Sequence, residues 1–151
     1  MINEDIQNVL RKLADILNSN NVNWMLIGSC NLAVQGMDFT PRDIDICVDL
    51  KDFDSIKALF SNFDKFETGQ FPSKFWGNAF RITCFIDDVE IEFIGEGTQS
   101  LYTEAIIKKD FIKKGKLYLN KLENEYQAYL KMNRLEKAAK IKEYLNNLIS
   151  A

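Results

Sequence analysis

The sequence predicts a single α/β (α+β) domain, in which a mixed central sheet of about five strands is flanked by helices and followed by further helices at the C-terminus. Three observations predict it. Residues 2 to 20 place Ile6, Val9, Leu10, Leu13, Ile16 and Leu17 at three- and four-residue steps, the period of an amphipathic helix lying on a sheet. Residues 23 to 48 join a short apolar run, a Gly-Ser turn and an alternating D-I-D-I run. Residues 79 to 94 set two alternating runs, rich in β-branched and aromatic residues, around Asp87-Asp88, the pattern of an antiparallel hairpin with a tight turn.

Taken in order, the helix over 2–20 ends in the polar S-N-N stretch, and Trp24 to Ile27 form a brief strand that stops at Gly28. Ser29 opens a helix over 29–37, with Leu32, Ala33 and Gly36 at helical spacing. After a Thr-Pro break, a strand covers 43–49. Ile56, Leu59 and Phe60 then predict a helix crossing back over the sheet. Residues 62 to 76 carry five aromatics with Gly69 and Pro72 among them, and read as a short strand followed by an irregular loop. The hairpin over 79–94 comes next, then a turn from Gly95 to Gly97 and a short amphipathic piece over 101–107. Leu117 to Leu119 is one more possible strand. From Leu122 to Leu148 the pattern is helical, with a break near Met132-Asn133 and with Lys131, Arg134, Lys137 and Lys140 on the surface. The whole of 1–151 is expected to be one domain, with its sheet core in 1–119 and its C-terminal helices in 120–151.

Composition narrows the chemistry. A chain of 151 residues can bury about 70% of its unfolded surface, enough for a core without metal or disulfide staples. Cys30, Cys47 and Cys84 are scattered in apolar stretches and in no C-x-x-C arrangement, so they are expected to be small buried hydrophobes. The sequence has no histidine, which excludes Ser-His and Cys-His catalysis, histidine-bound zinc and imidazole acid-base work. Chemistry must then run on carboxylates, lysines, hydroxyls or a metal. A net charge of −3 argues against a protein that grips long nucleic acid by counterion release. No apolar run is long enough to cross a membrane, and M-I-N-E-D has neither a basic region nor an apolar core, so a cytoplasmic location is expected.

The chemistry-bearing residues gather in 23–48. A strand that turns into a helix through Gly28-Ser29 leaves backbone N–H groups unpaired at the helix start, beside a hydroxyl, and phosphate oxygens suit such a place. In Asp43-Ile44-Asp45-Ile46 the two-residue repeat puts both carboxylates on one face, about 7 Å apart, and both isoleucines on the other. Two acidic side chains on a rigid strand suit a hard divalent cation such as Mg²⁺. In V-E-I-E-F-I, Glu90 and Glu92 share a face opposite Val89, Ile91 and Phe93. Lys108, Lys109, Lys113, Lys114 and Lys116 form a basic run that reads either as solvated surface or as an electropositive rim.

The order of these features resembles the signature of the polymerase-beta-like nucleotidyltransferase superfamily, in which an apolar strand ending in Gly-Ser and a helix precede an Asp-x-Asp strand. The long interval between Ser29 and Asp43, with L-A-V-Q-G in the helix and F-T-P-R-D-I-D-I after it, is similar to the branch holding lincosamide-type nucleotidyltransferases and AbiEii-like toxins. The resemblance is carried by residues 23–48 and extends to about residue 95. It implies a nucleotidyltransferase fold and transfer of a nucleoside monophosphate from a nucleoside triphosphate to a hydroxyl acceptor of unknown identity. It implies that Asp43, Asp45 and Glu92 hold Mg²⁺ and form the catalytic set, with the third carboxylate also a candidate base. Gly28 and Ser29 are the implied nucleotide-binding pair. Glu92 is preferred to Glu90 because it stands nearer the strand end at Gly95 and because V-E-I-E-F-I aligns best with Glu92 in the acidic position. The segment R-L-E-K-A-A-K-I is similar to a basic helix that in related enzymes contacts nucleotide or acceptor. Residues 71–80 would line an acceptor site or cap the sheet, and a homodimer would complete the site of so short a chain. A second reading of the same residues is a protein of this fold that binds nucleotide or a partner protein without turnover.

Overall fold

The computed structural model describes residues 2–73, 77–96 and 100–150. Helix α1 (Glu4–Ser19) forms where the apolar period predicts it: Ile6, Val9, Leu10, Leu13 and Leu17 are buried, and Asn3 caps the start by accepting the Ile6 N–H at 2.8 Å. Strand β1 (Trp24–Ile27) is buried along its whole length. Helix α2 (Gly28–Val34) stops earlier than the expected 37, since Gly36 has φ +102°, a conformation no helix continues through. Strand β2 (Asp43–Val48) follows, then a single 3₁₀ turn and helix α3 (Phe53–Phe60).

Strands β3 (Asp64–Ser73), β4 (Gly77–Ile86) and β5 (Val89–Glu96) form an antiparallel meander. The β4–β5 turn falls at Asp87-Asp88, both with positive φ (50° and 65°), as a two-residue hairpin of the primed type requires. Helix α4 (Leu101–Lys108) is capped by Ser100, whose Oγ accepts the N–H groups of Tyr102 and Thr103. A second hairpin, β6 (Phe111–Lys114) and β7 (Leu117–Asn120), precedes helices α5 (Leu122–Lys131) and α6 (Leu135–Ser150). The two helices part where expected, with Asn133 at φ +59°.

The strands lie in the order β3-β4-β5-β2-β1-β7-β6, with β2–β5 and β1–β7 parallel and the other pairs antiparallel. The sheet therefore has seven strands where about five were expected. Two features account for the difference. The possible strand at Leu117–Leu119 finds its partner inside the lysine-rich run, and lysine, a weak marker of strand, is well suited to the exposed edge that β6 forms. At the other edge β3 runs ten residues, through Gly69 and Pro72, where a short strand and a loop were expected. An edge strand tolerates a proline because one side of its backbone needs no partner. Phe75 and Trp76, part of the aromatic stretch expected to line an acceptor site or cap the sheet, and Gly97 of the expected turn lie outside the described residues.

Alternation along the strands divides the sheet into two faces. One packs Trp24, Leu26, Ile44, Ile46, Val48, Ile82, Cys84, Ile91 and Phe93 against α1 and α3, with Phe60 and Phe93 ring centroids 4.6 Å apart. The other brings Met25, Ile27 and Cys47 against Tyr102, Ala105 and Ile106 of α4 and Ala128 of α5. A third cluster joins Leu32 and Met37, around α2, to Leu122, Tyr129, Ala138 and Ile141 of α5 and α6. Among the described residues no helix is long and apolar enough to cross a membrane.

Candidate functional site

Asp43 and Asp45 share their face of β2 with Cys47, on the side of the sheet that carries α4 and α5. Beside them on β5 the ladder aligns Asp43 with Glu90 and Asp45 with Glu92. Ile27, the last residue of β1, is aligned with Asp45 from the other side. Four carboxylates thus occupy neighbouring positions on two parallel strands, at the end where β1 stops and β2 begins. Neighbouring strands are about 4.8 Å apart, so each aspartate has a glutamate alongside it. Glu90 is exposed, whereas Asp45 and Glu92 are partly buried.

The expectation for Glu92 rested partly on its nearness to Gly95, and here the strand directions matter. Because β5 runs parallel to β2, Gly95 lies at the end away from Asp43, and the end shared with Asp43 belongs to Glu90. The strand-end argument for Glu92 therefore fails. What distinguishes Glu92 is its register with Asp45 and its partial burial, and its carboxylate lies 3.8 Å from the Arg81 guanidinium. Burial raises the Glu92 pKa, the Arg81 charge opposes that, and the charges of Glu90 and Asp43 add to it.

Asp45 shows the same physics more strongly. Burial, then the charges of Asp43, Glu92 and Glu125, push its pKa up to about 7, against the pull of Lys137. A carboxylate crowded by like charges in this way is a ready partner for a cation. Its oxygen donors are hard, as Mg²⁺ requires, and a Cβ on Gly28 would stand only 2.9 Å from Asp45 Oδ2, so the space above that oxygen exists because residue 28 is glycine. Among the described residues no three acidic or cysteine side chains form a ready-made cage.

Gly28 has a second reason to be glycine, its φ of +73°. Its N–H was expected to stand unpaired for a phosphate. Instead it donates to Glu125 Oε2 at 2.8 Å, because α5 inserts that carboxylate under the turn. Ser29 is engaged as well: its Oγ accepts from Lys137 Nζ at 2.8 Å, which leaves the hydroxyl its own proton to donate. Lys137, expected on the surface, is half-buried, with its ammonium 5.3 Å from the Tyr129 ring centroid and 5.7 Å from that of Phe39. Burial and Arg134 lower its pKa, while Glu125, Asp45 and Asp43 favour its charge. It also lines an open pocket of about 630 Å³ with Phe39, Arg134, Leu135 and Lys140.

Lys137 and Glu125 are the two participants that the strand motif did not disclose. The first lies in R-L-E-K-A-A-K-I, the segment already singled out as a basic helix. The second had a signal in its spacing, since Glu125 falls three residues after Leu122 and three before Ala128, on the face that α5 buries. The lysine run contributes differently. Lys108 pairs with Glu104 at 2.7 Å, Lys116 pairs with Asp15 at 2.9 Å, and Lys114 donates to the Val34 carbonyl at 3.1 Å. Lys113 and Lys114 lie on β6, three places from β2, so that part of the run does not border the aspartates. The cysteines are buried, and burial followed by the charges of Asp45 and Asp43 pushes the Cys30 thiol up to about 12, where it is no nucleophile.

No protein-family model matches the chain, and no curated protein matches it in sequence. Among solved structures it is similar to a crystal structure from Thermotoga maritima, of a protein provisionally named a nucleotidyltransferase. The identity is 29%, the match covers 97% of this chain and 96% of that one, and the TM-score is 0.72. The chain has the nucleotidyltransferase fold.

Proposed function

We propose that this chain is a metal-dependent nucleotidyltransferase, which moves a nucleoside monophosphate from a nucleoside triphosphate to a hydroxyl acceptor. The observation that carries the reading is the placement of the Asp43–Asp45 pair, with Glu92 in register beside Asp45 and the Gly28-Ser29 turn above it, held by Lys137. The likeness to the Thermotoga maritima protein supports it.

In this reading Asp43 and Asp45 hold Mg²⁺, with Glu92 as the third ligand. When bound, the ion neutralises triphosphate charge and lowers the pKa of the attacking hydroxyl. Ser29 donates its O–H to a β- or γ-phosphate oxygen, and Lys137 supplies positive charge beside it. Arg134, just before α6, and Lys140 on that helix extend the charge. Gly28 lets the phosphates approach the backbone. Attack is in line: the acceptor oxygen bonds to the α-phosphorus, the bond from that phosphorus to the bridging oxygen breaks, and pyrophosphate leaves. Glu92, whose pKa burial raises above the ordinary carboxylate value, accepts the hydroxyl proton at a carboxylate oxygen. A homodimer would complete the acceptor side.

A second reading, binding of nucleotide or a protein without turnover, draws on the proximity of Glu92 to Arg81 and on the lack of a ready-made carboxylate cage among the described residues. One experiment separates the two. Each of the four nucleoside triphosphates, labelled at the α-phosphate, is incubated with Mg²⁺ and panels of small hydroxylated molecules, tRNA and proteins. Transfer of label with release of pyrophosphate, abolished by EDTA, is expected. Nucleotide binding with no transfer to any panel would favour the silent module.

A further inference from the structure

Glu125 has no solvent exposure, yet α5 carries it into a region where an apolar side chain would pack more simply. A buried carboxylate persists only where donors satisfy it. Here the donors come from several elements: the Gly28 N–H at 2.8 Å, Asn120 Nδ2 at 2.9 Å, Asn31 Nδ2 at 3.3 Å and the Tyr102 hydroxyl. Asn31 also donates to the Asn120 carbonyl at 2.9 Å, and Gln35 donates to the same carbonyl at 2.7 Å. The network ties the first residue of α2, the last residue of β7 and the first turns of α4 and α5 to one carboxylate. Of these ties, the one to Gly28 fixes the backbone that overlies Asp45 Oδ2 and precedes Ser29.

We propose that Glu125 is a positioning residue for the nucleotide site, acting through the Gly28 N–H to hold the Gly28-Ser29 turn over Asp45. The inference rests on the nucleotidyltransferase reading of that site. Two other roles are open to a buried carboxylate, and the structure separates them from this one. Stability alone would be served as well or better by an apolar residue of similar volume. Charge alone would be served by a carboxylate at any nearby point, whereas positioning requires an acceptor at the reach of glutamate.

Glutamine keeps that reach. Its amide oxygen can accept from Gly28 while its NH₂ group meets Asn120, whose buried Oδ1 has no hydrogen-bond partner among the described residues and can turn to accept it. Aspartate keeps the charge and falls short by one methylene.

The test compares wild type, Glu125→Gln and Glu125→Asp in titrations with Mg²⁺ and each of the four nucleoside triphosphates, at a temperature where melting curves show every variant folded. Hydrogen exchange at the Gly28 amide is measured alongside. The expected result is a protected Gly28 amide in wild type and in Glu125→Gln, with affinity kept within about threefold by the glutamine. A loss of about tenfold or more is expected in Glu125→Asp, the scale of one lost charge-assisted hydrogen bond. Wild-type affinity in folded Glu125→Asp would overturn the proposal, and so would equal losses in the two variants. Should Glu125→Asp fail to fold, the glutamine variant and the wild-type amide decide: loss of binding in the first, or unprotected exchange in the second, overturns it. Failure of wild type to bind any of the four nucleotides would instead bring down the reading of the site on which the proposal stands.

Discussion

At the scale of single residues the site is a balance of charges, and the balance can be measured. The Asp45 pKa is raised to about 7 by burial and by its acidic neighbours, and that of Glu125 to about 7 mainly by burial. Between the ordinary carboxylate range and pH 7 the folded chain therefore holds protons that the unfolded chain releases. The folded state binds more protons in that window, so stability falls as pH rises from about 4 to about 7 and levels off above. Melting temperatures across that range should decline for wild type and less steeply for Asp45→Asn. At pH 8 this variant is expected to be more stable than wild type by about 1–3 kcal/mol, since it removes a half-buried charge repelled by its neighbours. A variant equal to or less stable than wild type at pH 8 would contradict the electrostatic account. Ser29 and Lys137 make a second residue-scale prediction. Ser29→Ala should weaken triphosphate binding by about 1 kcal/mol, and Lys137→Met by about 1.5–3 kcal/mol, because the lysine is a charged donor in a partly buried place. Calorimetric titration with a nucleoside triphosphate and Mg²⁺ checks both, and equal affinities in all three chains would remove α6 from the site.

At the scale of elements, what was legible in the sequence followed from how local the signal is. Strand β2 and hairpin β4–β5 were readable because alternation and a two-residue turn are written in consecutive residues. The meeting of Asp43 with Glu90 and of Asp45 with Glu92 was not, since the register of two strands more than forty residues apart depends on the meander between them. Direction mattered as much as register: the preference for Glu92 by its nearness to Gly95 presumed the wrong end of β5. Strands β3 and β6 were obscured by residues that suit sheet edges, Gly69 and Pro72 in one and paired lysines in the other. The gathering of Gly28, Asn31, Asn120 and Glu125 combines three elements and carries no local signature beyond an acid on a buried helix face. The docking of α6 on the end of α2 gives this scale its own test. Gly36 has φ +102°, and a Cβ there would stand 2.6 Å from the hydroxyl of Tyr144, which donates to the Gln35 carbonyl at 3.1 Å. Gly36→Ala should lose about 1–3 kcal/mol in urea unfolding, from backbone strain and the displaced tyrosine. An unchanged midpoint would mean that α6 does not seat there.

At the scale of the whole molecule, the aspartates come from the sheet while the cation and the buried acid that face them come from the C-terminal helices. Lys137 reaches Ser29 across 108 positions of sequence, and Glu125 reaches Gly28 across 97. Sheet and helices therefore should unfold as one unit, and the site should exist only when both are in place. The measurement that tests this most directly is thermal unfolding with and without Mg²⁺ and a nucleoside triphosphate, in wild type and in Asp43→Asn/Asp45→Asn. The account predicts one cooperative transition for wild type, raised only when nucleotide and Mg²⁺ are present together. The gain is about 2.7 kcal/mol at a ligand concentration one hundred times Kd. In the double variant the protein should melt at least as high as wild type without ligand at pH 8 and show no shift with it. A double variant that keeps the full Mg²⁺-dependent shift, or a wild-type shift indifferent to Mg²⁺, would contradict the assignment of Asp43 and Asp45 as the centre of the site.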